Sequence, residues 1–222
     1  MKKLIPLLAF AVVILTAAAQ DNPNPSVYGD IPDYGEKYLS PDFVKLDKKA
    51  GLLVACRTGD ELLKINPETK AVESRIELGG HPSGIAVSPD GKFAYVTIAA
   101  PKGEILKISL EDSKIAERAP AGHMPRAVII SADGKTLYFA NQFENVVRAF
   151  DSKTLKEKAR GKAVRDPFAL ALSKDGSKVF AANQLPEPKG GLYEENIGAA
   201  VSVFDAKTLK TLAKIALPNG SI

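Results

Sequence analysis

From residue 41 to residue 217 the chain repeats one arrangement of apolar and polar positions. A short apolar stretch alternating with period two meets a polar turn, then a second stretch, a variable loop, a third stretch, another polar turn and a more polar fourth stretch. Such alternation predicts strands, because successive side chains on a strand point to opposite faces. The first stretches are Phe43-Val44-Lys45-Leu46, Gly84-Ile85-Ala86-Val87, Ala127-Val128-Ile129-Ile130 and Ala169-Leu170-Ala171-Leu172. Each is opened by a proline, and Pro41, Pro82, Pro125 and Pro167 are spaced 41, 43 and 42 residues apart.

Three of these stretches run into Asp90-Gly91, Asp133-Gly134 or Asp175-Gly176. Asp-Gly suits a tight hairpin, since glycine tolerates positive φ and aspartate bonds its own turn backbone. The first copy has the degenerate turn Asp47-Lys48-Lys49-Ala50-Gly51. Second strands are expected at Leu52 to Cys56, Phe93 to Thr97, Thr136 to Ala140 and Val179 to Ala182. Third strands are expected at Leu62 to Ile65, Ile105 to Ile108, Val146 to Phe150 and Ala200 to Phe204. The fourth is the most polar, as in the stretch from Ala71 to Leu78. Four antiparallel strands per unit, small-residue strand first and charged strand last, predict an all-β protein built of β-propeller blades. Helix-pair solenoids of similar period are excluded, because the runs are too short and alternate with period two.

The segment Ser88-Pro89-Asp90-Gly91-Lys92-Phe93-Ala94-Tyr95-Val96-Thr97 resembles the signature of the bacterial YVTN-type β-propeller repeat family. Ile98 stands where that motif ends in Asn, while Asn141 and Asn183 supply it in the next two copies. Val201-Ser202-Val203-Phe204-Asp205 is similar to the family's third-strand signature. The resemblance spans about residues 41 to 222 and implies four blades, at about 41–80, 81–122, 123–165 and 166–217, with the start of a fifth at 218–222. Because family propellers usually have seven blades, it also implies part of a larger ring. A closed four-bladed ring stays open as the alternative.

Ahead of the repeats, residues 1–19 read as a signal peptide and 20–40 as a linker. Lys2 and Lys3 form the positive region, Leu4 to Thr16 the apolar region, and Ala17-Ala18-Ala19 the small-residue cleavage site. An uncleaved anchor is the competing reading, but the apolar run is short for spanning and contains Pro6. The expectation is export to the periplasm or the cell surface, with no transmembrane span after cleavage. Removing Lys2 and Lys3 from 30 basic residues leaves 28 against 26 acidic ones. That balance offers no footprint for nucleic acid. Cys56, the single cysteine, excludes an intrachain disulfide and reads as a small buried hydrophobe within an apolar strand.

Strand direction reverses at each turn, so connections sort by parity. The loops between second and third strands, and those between blades, fall on one face. That face gathers the ligand-face candidates His81, His123, Arg126, Asn141, Gln142, Arg165, Asn183 and Gln184, along with Arg57, Asp166 and the long Leu185–Asn196 insertion. Propeller ligands or protein partners bind such a loop-rich mouth. The histidines also suit capping of tight Gly-His turns, the asparagines suit loop-backbone bonding, and Asp166 suits an ion pair with Arg165. No Gly-x-Ser-x-Gly, His-Glu-x-x-His or Cys-x-x-Cys-His occurs, so no catalytic residue, metal or cofactor is expected in this chain. The resemblance implies a non-catalytic binding or scaffolding propeller, with the insertion and the Leu217-Pro218-Asn219-Gly220-Ser221 junction resembling proteins in which a propeller precedes a c-type cytochrome or dihaem-peroxidase-like region. The alternative is a propeller-type lactonase acting on sugar lactones.

Overall fold

The computed structural model describes residues 39–185 and 199–217. The signal peptide, nearly all of the linker, most of the insertion and the start of a fifth blade lie outside the described residues. The described chain is all-β and contains no helix.

The sheets follow chain order. The first holds β1 (Pro41–Asp47), β2 (Gly51–Cys56), β3 (Glu61–Ile65) and β4 (Val72–Glu77). The second holds β5 (Pro82–Val87), β6 (Phe93–Ile98), β7 (Gly103–Ser109) and β8 (Lys114–Gly122). The third holds β9 (Pro125–Ile130), β10 (Thr136–Asn141), β11 (Val146–Asp151) and β12 (Glu157–Lys162). The fourth holds β13 (Pro167–Leu172), β14 (Lys178–Asn183), β15 (Ala200–Asp205) and β16 (Thr211–Ala216). Every sheet is an antiparallel meander whose first strand lies innermost, which is the form of a propeller blade. The strands reach one or two residues past their apolar runs because main-chain pairing extends into polar neighbours. Thus β3 starts at Glu61, which pairs with both Cys56 and Glu77.

Turn chemistry follows the repeated residues. Gly91, Gly134 and Gly176 have φ of 73, 72 and 71°, a conformation that costs glycine little. In each turn the aspartate Oδ1 accepts the main-chain N–H two residues on, at 3.0 Å for Lys92, Lys135 and Ser177 alike. A serine two residues before the aspartate donates its hydroxyl to that carboxylate, as Ser88 does to Asp90 at 2.6 Å.

The inner strands pack side by side in the series β1, β5, β9, β13. At Gly84 a Cβ would lie 2.8 Å from the main-chain nitrogens of Ala127 and Val128, so glycine is what lets β5 approach β9. Apolar clusters fill the gaps between successive blades. Leu53, Ala55 and Leu62 meet Val96, Leu106 and Ile108; Tyr95 and Ile105 meet Leu137, Phe139 and Phe150; Tyr138 and Val147 meet Val179, Ala181 and Phe204. Among the described residues no comparable packing joins β13 to β1. The face of the fourth blade that corresponds to these junctions carries Phe180, Val201 and Ile215, and β16 is exposed along its length. Cys56 is 1% exposed in β2, the buried position expected of it.

Candidate functional site at the blade mouth

One hydrogen bond recurs in all four blades and builds the mouth. The N–H of the residue after each second strand donates to the carbonyl of the residue before each inner-strand proline. The pairs are Arg57 to Ser40 (2.7 Å), Ala99 to His81 (2.9 Å), Gln142 to Met124 (3.1 Å) and Gln184 to Asp166 (2.9 Å). The loops after the second strands are thereby tied to the blade junctions on one face, as strand parity requires.

A bulge follows. In three blades the residue after the proline is the extra one: Asp42, Ser83 and Phe168. In the third blade the irregularity shifts one step along, so Arg126 pairs with Ala140 and Ala127 takes φ of 53°. Bulges re-aim side chains, and these four equivalent positions stand at the start of the adjacent inner strands.

Their side chains differ in how they are satisfied. Asp42 lies 3.7 Å from the Arg57 guanidinium. The Ser83 hydroxyl donates to the Pro125 carbonyl and lies 3.1 Å from both the Thr97 hydroxyl and carbonyl oxygens. Arg126 sits over the Phe168 ring, 4.9 Å from its centroid. Its guanidinium makes no hydrogen bond among the described residues, and its Nε is shielded from solvent. Burial is the main cause that pushes Arg126 below the usual arginine pKa; the Arg57 charge adds to this, while Asp166 and Asp42 oppose it. Asp166 Oδ1 is likewise buried without a partner. Asp166 and Arg165 form no ion pair among the described residues, contrary to the expected pairing. The Asp166 backbone is instead fixed at φ of 53°, its N–H bonded to Asn145 Oδ1 at 2.7 Å.

The other expected residues divide. His81 is exposed, with Nδ1 2.7 Å from Asp60 Oδ1 and 3.0 Å from the Arg57 carbonyl, so it ties down the first blade's loop. His123 meets the exposed Phe143 edge-on, ring centroids 5.3 Å apart. Asn141 is fully buried: its amide donates to the Ala121 and His123 carbonyls at 2.7 and 3.1 Å, and its Oδ1 accepts from Arg148 Nε at 2.9 Å. Arg148 also bonds Glu144 and Glu157, a hub that residue-type reasoning missed. Its signal was an arginine inside the apolar run Val146-Val147-Arg148-Ala149-Phe150. Burial opposes ionisation of Glu144, yet the His123 N–H and Arg148 outweigh it and hold its pKa low. Asn183 is also buried, donating to the Ala181 and Ala200 carbonyls. Ser202 stands where Arg148 stands one blade earlier, and Asn183 Oδ1 is left without a donor. Both asparagines therefore hold backbone, while Gln184 and Arg165 are exposed on the mouth face. Among the described residues no group of three or more His, Cys, Asp or Glu side chains is placed to hold a metal ion.

A family model described as "Lactonase, 7-bladed beta-propeller" matches residues 58–156, less than half of the chain. No curated protein matches the sequence. Among solved structures, hydrazine synthase of Kuenenia stuttgartiensis superposes with a TM-score of 0.72 at 19% sequence identity. The superposition covers 86% of this chain but only 53% of that one, so this chain spans about half the length of the structure it resembles. The chain is thus a β-propeller of four-stranded blades, similar over residues 58–156 to the seven-bladed lactonase propellers.

Proposed function

We propose that this chain is the propeller part of an exported, non-catalytic binding or scaffolding module of YVTN type, working in the periplasm or at the cell surface. It recognises a small ligand or a protein partner at the mouth. The observation that carries this reading is Arg126, a part-buried cation stacked on Phe168 and without a hydrogen bond among the described residues. A buried charge left unpaired is costly, and that cost is offset when a bound group supplies the missing acceptor. The propeller fold and the greater length of its structural relative support a place within a larger protein, in which this propeller docks a c-type cytochrome or dihaem-peroxidase-like domain and carries no cofactor itself.

The test is a thermal-shift screen of the full chain against small molecules and candidate partner domains, run beside Arg126→Gln and Phe168→Ala. Ligands that stabilise the natural chain but neither variant are expected. If every binder acts equally on all three proteins, the mouth is not the recognition site.

The match to the lactonase model favours a second reading, hydrolysis of sugar lactones. Such hydrolysis needs an acid or base and a charge-stabilising donor at the mouth, roles open to His123 and Arg126. Lactone turnover that disappears in His123→Ala would replace the binding reading with this one.

A further inference from the structure

We propose that the mouth takes a zwitterionic α-amino carboxylate, its carboxylate on Arg126 and its ammonium on Asp166. This rests on the mouth being the recognition site, and it adds the chemistry of the ligand.

The argument begins with which charges are already satisfied. Arg57 and Asp42 lie 3.7 Å apart and compensate each other. Ser83 is saturated by Thr97 and the Pro125 carbonyl. Arg126, on β9, and Asp166, the residue before β13, remain, and no ion pair joins them. Stacking on Phe168, two residues after Asp166, holds the guanidinium against the ring. The Asp166 main chain is pinned on both sides, by Asn145 Oδ1 at its N–H and by the Gln184 N–H at its carbonyl. Among the described residues neither charged group is held by another side chain, and each has one solvent-shielded polar atom without a partner: a donor at Arg126 Nε and an acceptor at Asp166 Oδ1.

A ligand that completes this site must bring an acceptor for the guanidinium and a donor for the carboxylate. A planar carboxylate suits an arginine fork, which offers parallel N–H donors. Charge decides the second group. Asp166 forms no ion pair among the described residues and lies close enough for its charge to act on Arg126, so a simple anion bound by Arg126 would leave that carboxylate uncompensated. An ammonium beside the ligand carboxylate compensates it and forms a charge-assisted bond, whereas a hydroxyl only donates a neutral one. Burial, and then the Arg57 charge, lowers the Arg126 pKa against the opposing Asp166 and Asp42 carboxylates.

The discriminating pair is L-alanine and L-lactate, which differ only in ammonium against hydroxyl, with propionate lacking both. Titration of the full chain by NMR at low salt should give L-alanine binding at least about tenfold tighter than L-lactate or propionate, a ratio well above titration error. Asp166→Asn should bring L-alanine down to the L-lactate level, and Arg126→Gln should abolish binding of all three. L-lactate binding as tightly as L-alanine overturns the proposal, as does an unchanged preference in Asp166→Asn. The comparison of probes on the natural chain needs no variant to fold. If none of the three binds while the screen still finds Arg126-dependent ligands, the ligand class is wrong and the recognition mouth stands. If the screen finds no Arg126-dependent ligand either, both readings fall.

Discussion

The Tyr95 hydroxyl donates to the main-chain carbonyl of Ser152 across a blade junction, at 3.1 Å, and Tyr138 repeats the contact with the Ala206 carbonyl at 2.9 Å. Both rings are buried, and burial is the first cause that raises the pKa of each phenol. The tyrosine of the repeat motif is therefore a strut from one blade to the turn of the next. Leu53 and Phe180 occupy the same position in the first and fourth blades and have no hydroxyl to donate.

Tyr138→Phe keeps the packing and removes only the bond. A stability loss of about 1 kcal/mol is expected, read as a lower urea midpoint at unchanged slope. An unchanged midpoint would show that the strut contributes nothing beyond its ring.

Arg148 is the opposite case to Arg126. It bonds Asn141, Glu144 and Glu157 and is nearly buried, so Arg148→Met leaves a buried amide oxygen without a donor and takes the buried cation from two carboxylates. A loss of about 3 kcal/mol is expected, measured by chemical denaturation.

Arg126→Gln removes a cation with no hydrogen bond among the described residues. Its stability should stay within about 0.5 kcal/mol of the natural chain. A loss as large as that of Arg148→Met would mean Arg126 is structural, and the mouth reading would lose its main support.

The turn aspartates set a pH response. Asp90, Asp133 and Asp175 titrate below an ordinary aspartate, the hydroxyls of Ser88, Ser131 and Ser173 being the leading cause, with Asp175 lowered to about 2. A pKa lower in the folded than in the unfolded chain gives stability that is complete above the unfolded value and lost as pH falls through the folded one. The denaturation midpoint should be flat near neutrality with respect to these groups and decline in acid. Replacing the three serines by alanine should make that acid decline shallower; an identical profile would refute the role of the hydroxyls.

Phe139 is fully buried between the second and third blades and packs edge-on to Phe150, centroids 4.8 Å apart. Phe139→Ala should cost about 3–5 kcal/mol, visible as a large drop in Tm by circular dichroism.

Much of this was legible in the chain. The spaced prolines, the Asp-Gly turns and the period-two runs are local signals, and each predicts geometry from residues within a few positions. They placed the four-stranded blades and the buried Cys56. The candidate site was less legible, since its members were chosen by residue type and loop parity. Asn141 and Asn183 sit on strands at the mouth end but turn inward to hold carbonyls, and Arg165 leaves its neighbour Asp166 unpaired. Neither outcome is written in adjacent residues.

By itself the sequence determined the strands, the turns and their four-fold recurrence, because those depend on local backbone chemistry repeated about every 42 residues. Only the tertiary structure decided that Arg148 is saturated while Arg126 is not, that Phe168 stacks beneath Arg126, and that Tyr95 and Tyr138 brace the next blade. The stack and the two struts join positions about 40 to 70 residues apart, and a contact between distant segments exists only once the blades have packed and fixed which polar groups meet and which are left without a partner.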